Sequence, residues 1–340
     1  MTRKTIRNVI TSNEKLRKVN VQNIKLLEDF LSEKNIRCAT GTIDGYRSDM
    51  NIFFVYVLEN LDNKFYVDIH KLEFAKFFNY CVTELHLGSA RFNRMRSCLS
   101  SLGDFVEKYM DDKYPMFHNS ILKVIDSMPN IAVREKTVLS EEQVNDLLSY
   151  LVSNNRNQEA CLLSLAISSG ARFSEIMRIT TDVIDLNNLV YSGLFIETTE
   201  KIRTKGRTKS GTLKYLYIIK QTFEKYYSVW MKERSKILSE NNKSHNYLFI
   251  DKDGTSSSMS TVRRYIGDWE KYLHTNLYFH AFRHYLVTFL SRIGLPAELI
   301  SEILGWKSAG MYKIYNDLTG KDKEWNELTV LRNYLEQTNQ

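Results

Sequence analysis

From about residue 21 to residue 126, apolar residues recur at helical spacing, and the pattern predicts a series of amphipathic helices. Tyr46, Met50, Phe53, Phe54 and Val57 follow i, i+3, i+4 intervals behind Thr42, a residue able to cap a helix N-terminus. Similar stripes run through residues 72–82, 89–109 and 118–128, so the N-terminal half reads as a small helical bundle. The periodicity breaks over 129–137 and resumes at Ser140-Glu-Glu-Gln143, a capping box. The helix it opens would carry Val144, Leu147, Leu148 and Leu151 on one side. Residues 159–168 are almost wholly apolar, as in a buried helix; Ser169-Gly170 stops it and another helix begins over 173–179. Residues 189–199 and 215–219 are rich in β-branched and aromatic side chains and predict strands, with a polar, basic stretch between them. Residues 247–250 predict a further short strand, turning at Asp251-Lys-Asp-Gly254, after which the chain is helical again. The expected fold class is mostly α with a small β-sheet in the second half.

Composition narrows the classes. A chain of 340 residues accommodates two domains at roughly 100–200 residues each. Fourteen Gly, three Pro and 12% aromatics exclude a collagenous or Pro-rich disordered protein. The best apolar run, 52–58, falls short of the roughly 18 residues a membrane span needs, and the polar N-terminus is unlike a secretory signal. A cytoplasmic protein with no membrane partner is expected. Cys38, Cys81, Cys98 and Cys161 form no C-x-x-C pair and read as reduced core residues. The net charge of +7 permits a polyanionic partner without requiring one. Within the first 18 residues, Arg3, Lys4, Arg7, Lys15, Arg17 and Lys18 face only Glu14, which reads as a mobile basic arm or a solvated tail. Arg91, Arg94 and Arg96 open one helix as a phosphate-binding face or a merely solvated one.

Four local signals in the second half carry candidate chemistry. Gly170-Ala-Arg172-Phe-Ser-Glu175 sets an arginine at the edge of a core, where it needs an anion; Glu175 could supply one as a structural ion pair. Lys201-Ile-Arg203-Thr-Lys205-Gly-Arg207-Thr-Lys209 places five cations in nine residues, in a turn that faces phosphate or only solvent. His280-Ala-Phe-Arg283-His284 heads a helix with an apolar face of Phe282, Tyr285, Leu286, Phe289, Leu290 and Ile293. His280 and Arg283, three apart, are neighbours on that helix. His280 and His284 invite a zinc reading, but Ala281 stands where H-E-x-x-H needs Glu and no third ligand presents itself, so no metal is expected. Leu304-Gly305-Trp306 ends a helix starting near Pro296, with Tyr312 and Tyr315 beyond it; alone, these aromatics would read as packing residues.

In this order and at these separations, the four signals resemble the tyrosine recombinase (lambda-integrase) family, in its Cre-like or Xer-like forms. The resemblance spans about residues 137–317 and puts Arg172, Lys205, His280, Arg283, Trp306 and Tyr315 in the six catalytic positions. Tyr315, nine residues after Trp306, takes the nucleophile's place in preference to Tyr312. Lys201, Lys209 and Lys214 compete for the lysine; the Thr-Lys205-Gly turn favours Lys205, with Lys209 as fallback. Trp306 replaces the commoner histidine, and indole can donate a hydrogen bond but not shuttle a proton. The resemblance implies a C-shaped clamp on duplex DNA: a basic arm (1–20), a helical core DNA-binding domain (21–128), a linker (129–137), a catalytic domain (138–318) and a C-terminal helix (319–340). It further implies a homotetramer on two DNA sites, joined through that helix, whose Leu328, Leu331 and Leu335 would share a face needing a partner surface or the chain's own domain.

The residue types suit the chemistry. Arg172 and Arg283 can clamp a phosphodiester's non-bridging oxygens as charge develops, with no metal or other cofactor. Tyr315 must lose a proton as it attacks, and His280 is the candidate base. The resemblance implies a 3′-phosphotyrosyl intermediate, with Lys205 protonating the leaving 5′-oxygen and Glu175 supporting the site. It makes Arg91, Arg94, Arg96, Arg203, Arg207 and Lys209 candidate phosphate contacts. A non-catalytic DNA-binding protein on the same scaffold is the competing expectation.

Overall fold

The structure, a computed structural model, describes residues 10–129, 137–204, 211–306 and 310–315. Residues 1–9 of the basic arm, most of the linker, Lys205, Arg207, Lys209 and the C-terminal segment therefore lie outside the described residues; residues 13–18 of the arm form a helix, with Lys15 paired to Glu59 and Lys18 to Glu14. The chain divides into two compact units, the first running through residue 135 and the second from residue 136 apart from 206–211. Among the described residues no helix is long and apolar enough to cross a membrane.

The first unit is helical: α1 (Asn13–Lys18), α2 (Val21–Arg37), α3 (Thr40–Asn60), α4 (Lys71–Thr83), α5 (Ser89–Tyr109) and the single turn α6 (Ile121–Val124). Thr42 is not the cap of α3. Its amide already donates to the Ala39 carbonyl at 2.8 Å, and the helix begins at Thr40 behind an extended Ala39. Positions 52–57 of α3 are buried on every side, because α2 and α5 both pack against it. Phe53 lies among Phe74, Phe77 and Tyr66, and Tyr66 donates from its hydroxyl to the Leu99 carbonyl at 2.8 Å. The helix expected over 118–128 shrinks to α6. Asn93 accepts from the Met128 amide and donates to its carbonyl, while Arg96 takes the Leu122 and Ile125 carbonyls. These long-range bonds compete with helical ones and hold the segment irregular.

The second unit begins with Thr137, whose hydroxyl bonds the Asn276 carbonyl. Its helices are α7 (Glu141–Ser153), α8 (Asn157–Ser169), α9 (Phe173–Ile176), α10 (Lys220–Glu240), α11 (Met259–Leu273), α12 (Phe279–Arg292), α13 (Ala297–Ile303) and α14 (Gly310–Tyr315). The capping box forms as the sequence predicts: Gln143 N donates to Ser140 Oγ and Ser140 N to Gln143 Oε1. Buried along its length, α8 is the central post of this unit and packs on α7, α10, α12 and the sheet.

The strand expected over 189–199 is a hairpin, β1 (Leu189–Val190) and β2 (Phe195–Glu197), in register Leu189↔Ile196. Tyr191, Ser192 and Gly193 all take positive φ, and the Ser-Gly pair marks the turn. β2 continues antiparallel onto β5 (Tyr217–Ile219). Between them β3 (Ile202–Thr204) and β4 (Thr212–Lys214) pair antiparallel on either side of the basic stretch, whose residues 205–210 lie outside the described residues. Residues 247–250 form only isolated bridges, Thr180↔Tyr247 and Ile250↔Ser256. Cys81, Cys98 and Cys161 are buried; Cys38, just past α2, is half-buried and no core residue.

Candidate active site

The site assembles at four chain breaks of the second unit. α8 ends at Gly170, left-handed with φ +55°, and an added Cβ there would lie 2.9 Å from Leu304 and 3.0 Å from Leu286. Glycine is required on both counts. The chain then turns into Arg172, the N-cap of α9, which is tied to the third residue of that helix. Arg172 N donates to Glu175 Oε2 at 3.0 Å and Arg172 Nη1 to Oε1 at 2.8 Å. Glu175 is 1% exposed. Burial alone would raise its pKa; Lys214 and the contacts from Arg172 more than offset this and hold the carboxyl below its ordinary range.

α12 supplies the next two groups. Arg283 is 1% exposed, and its Nη1 donates to the Gly170 carbonyl at 2.8 Å. Its Nε and Nη2 are buried with no hydrogen-bond partner among the described residues. Burial, reinforced by the charge of Arg172, pushes its pKa down to about 10, which still leaves a guanidinium at neutral pH. One turn earlier stands His280. Desolvation, then the charges of Arg283 and Arg172, lower its pKa although the residue is exposed, so its imidazole is neutral at pH 7 and able to accept a proton.

The Leu304-Gly305-Trp306 turn and α14 close the constellation. Gly305 is left-handed, φ +63°, as the helix stop requires. The Trp306 ring stacks on Tyr315 at 5.2 Å between centroids, and the Arg283 guanidinium lies 5.0 Å from the Trp306 centroid and 5.3 Å from that of Tyr315. Trp306 Nε1 is also buried without a partner among the described residues. Tyr312, one turn back on α14, shares a 2.9 Å hydrogen bond with Ser291 Oγ. The structure thus sets Tyr315, not Tyr312, against Arg283 and Trp306.

Two neighbours lie outside the six expected positions: His284, weighed above as a zinc partner of His280, and Lys214, a competitor for the lysine. His284 lies 4.7 Å from the Tyr315 ring, centroid to centroid. Lys214, at the end of β4, is largely buried, donates to the Leu304 carbonyl at 3.0 Å and sits 3.9 Å from Glu175 Oε2. Its signal in the sequence was a lysine directly before the apolar run of β5, where a cation must find a partner. Arg203 is exposed on β3, and its carbonyl accepts from Arg178 Nη1 at 2.8 Å.

In the first unit Arg91 and Arg94 converge on Asp49, whose side chain is fully buried; Arg94 reaches it with Nε at 2.7 Å and Nη2 at 2.9 Å. Arg96 is occupied by the carbonyls at the end of α6. All three guanidiniums thus have internal partners, although Arg91 Nε is buried without one among the described residues.

Arg283, Trp306 and Tyr315 thus meet at one place, with Arg172 and His280 within electrostatic reach of Arg283. Residues 137–321 match the phage integrase family; the chain belongs to it and is a tyrosine-type site-specific DNA recombinase. A tyrosine recombinase of Thermosipho africanus (strain TCF52B) is 23% identical over 303 residues, spanning 88% of this chain and 96% of its own. Tyrosine recombinase XerS of Streptococcus gordonii (strain Challis) is 21% identical over 351 residues, spanning 90% and 94%. Among solved structures, XerH recombinase in a post-cleavage complex with palindromic difH substrate aligns with a TM-score of 0.65 at 17% identity, over 83% of this chain and 78% of that one. The Tn1549 transposon integrase with circular intermediate DNA aligns with a TM-score of 0.63 at 16% identity, over 90% and 98%. These likenesses carry the fold, mostly helical with small antiparallel sheets.

Proposed function

We propose that the protein cleaves and rejoins duplex DNA at specific sites through a 3′-phosphotyrosyl intermediate and exchanges strands between two sites, for integration, excision or resolution. The observation that carries this reading is the trio of open donors, Arg283 Nε and Nη2 and Trp306 Nε1, buried beside Tyr315. Buried donors without acceptors are costly, at about 1–3 kcal/mol each, and an anion bound between them would remove that cost. A phosphodiester supplies two non-bridging oxygens of the right charge and spacing for a planar guanidinium.

The Tyr315 oxygen attacks phosphorus and the bond to the 5′-oxygen breaks, while Arg172 and Arg283 hold the developing charge and Trp306 donates to it. His280 takes the tyrosine proton. A lysine of the basic turn, Lys205 with Lys209 as the alternative, gives a proton to the leaving 5′-oxygen. Attack by the 5′-hydroxyl of a second duplex reverses the step and reseals the strand without an external energy source. Glu175 fixes Arg172 from behind.

The partner is a double-stranded recombination site, held by the helical first unit as core-binding domain and by the arm, Arg203, Arg207 and Lys209 on phosphates. Two such sites would be bridged by a tetramer through residues 319–340, in the cytoplasm on the chromosome. Arg91, Arg94 and Arg96 can join the phosphate contacts only by sharing or leaving the bonds they make to Asp49 and the α6 carbonyls.

The test is a set of nicked duplexes with randomised cores, from which the wild type selects the sequence that traps a covalent adduct. Tyr315→Phe must form none. An adduct that survives in Tyr315→Phe overturns the nucleophile, and no adduct with the wild type overturns cleavage in favour of DNA binding alone.

A further inference from the structure

Among the described residues Lys214 is the ammonium buried within the site, and the chemistry above gives it nothing to do. It lies on strand β4, outside the turn that carries Lys205 and Lys209. Its Nζ is held at 3.0 Å by the Leu304 carbonyl, the last residue before the Gly305–Trp306 turn. On its other side stands Glu175 Oε2 at 3.9 Å, the same oxygen that receives the Arg172 amide. Its aliphatic stem runs over Gly305, where an added Cβ would meet Lys214 Cδ at 2.7 Å. One side chain thus joins three segments that are far apart in sequence: the β3–β4 hairpin, the α8–α9 break that presents Arg172, and the α13 terminus that presents Trp306.

We infer that Lys214 is a positioning residue for strand cleavage: its ammonium ties Glu175, and through it Arg172, to the turn that carries Trp306, so that both donors face one phosphate. This rests on the cleavage reading above. Lys214 is not the proton donor to the leaving oxygen, because it is committed to a backbone carbonyl and a carboxylate. The charged groups facing it are Glu175, which favours the ammonium, and Arg283 and Arg172, which oppose it. With burial the largest influence, its pKa falls to about 8, so the clamp loosens within reach of ordinary buffers.

The experiment compares wild type with Lys214→Met and Lys214→Arg on the selected nicked duplex, following DNA affinity, adduct formation from pH 6.5 to 9.5, and thermal unfolding. Displacing Arg172 or Trp306 by an ångström should slow adduct formation in Lys214→Met by about 10²-fold with DNA affinity unchanged. Lys214→Arg, which keeps a cation, should recover part of the rate. The wild-type rate should fall above pH 8 as the ammonium is lost, and Lys214→Met should lack that fall. If the methionine variant does not fold, the wild-type profile and the arginine variant decide: a rate that keeps rising to pH 9.5 overturns the inference. A duplex with sulfur at the 5′-bridging position separates the roles, since a thiolate leaves without a proton. Rescue of Lys214→Met by that duplex makes Lys214 the acid and overturns positioning; no rescue supports it. Equal rates in wild type and Lys214→Met sink only this inference, whereas a wild type that forms no adduct sinks the cleavage reading with it.

Discussion

Two corners of the second unit each combine a buried arginine with a tryptophan, and they differ in what the donors meet. On α10, Arg234 gives Nε to the Tyr247 carbonyl at 2.8 Å and Nη2 to the His245 carbonyl at 2.6 Å, while Trp230 gives Nε1 to the Leu248 carbonyl at 2.9 Å. Every one of those donors stitches the 245–248 segment to the helix. In the site, among the described residues, Arg283 spends only Nη1 on a hydrogen bond, and the Trp306 indole N–H makes none. The arginines are buried alike in the two corners, though Trp230 is buried and Trp306 half-buried; what differs is the satisfaction of the guanidinium and indole donors. A cluster of open donors at one place marks where a ligand completes the structure, and a closed cluster marks a joint.

Arg283→Lys should break the contrast most sharply. Lysine keeps the charge but loses the planar fork, and loss of one charge-stabilising donor typically costs about 10²–10³ in rate. Single-turnover adduct formation should fall by that factor while stability falls only by about 1 kcal/mol, the worth of the Nη1 bond to the Gly170 carbonyl, since Nε and Nη2 bond nothing among the described residues. Arg234→Met should do the reverse. It strands the His245 and Tyr247 carbonyls and should lower the unfolding free energy by about 3 kcal/mol in urea titration, with adduct formation per folded molecule unchanged. A variant of Arg234 that folds normally but cannot cleave would erase the distinction.

Glu175 offers a sharper version, because it serves both the site and the fold. Its folded pKa lies below the ordinary 4.5, so its stabilisation is complete above that value and disappears as the pH falls through the folded one. Urea midpoints of the wild type should drop between pH 5 and pH 3 more steeply than those of Glu175→Gln, and equal slopes would show that Arg172 and Lys214 contribute no net pull. The activity has a separate acid limit. His280 accepts a proton only when neutral, and its pKa is held below 6.5, so adduct formation should persist below pH 6.5 and fail only at lower pH.

What the sequence made legible was local. The Ser140/Gln143 box, the glycine stops at 170 and 305, and the His280-x-x-Arg283 spacing are each settled within a few residues, and each forms as expected. The misreadings come from partners distant in the chain. Arg91 and Arg94 read as open cations because nothing nearby in sequence announces Asp49, which lies on α3 more than forty residues away. Residues 118–128 carry a helical stripe, yet Asn93 and Arg96 on α5 claim their backbone. Lys214 was visible only as one of several lysines near a turn, since its partners, Glu175 and Leu304, lie on other segments.

The smallest effect is expected from Tyr312→Phe, and it tests the comparison on a single helix. Tyr312 and Tyr315 are one turn apart on α14, both near α12, and of the two only Tyr312 has its hydroxyl in a side-chain hydrogen bond among the described residues. The Tyr312 hydroxyl is held by Ser291 Oγ at 2.9 Å, whereas Tyr315 is approached by a guanidinium, an indole and an imidazole. Removing the Tyr312 hydroxyl should cost about 1 kcal/mol of the hold on α14 and slow adduct formation by less than roughly tenfold. The adduct should still map to Tyr315 by peptide mass. A Tyr312→Phe protein without any adduct would make the closed tyrosine the nucleophile, and open donors would then be no guide to where this protein does its chemistry.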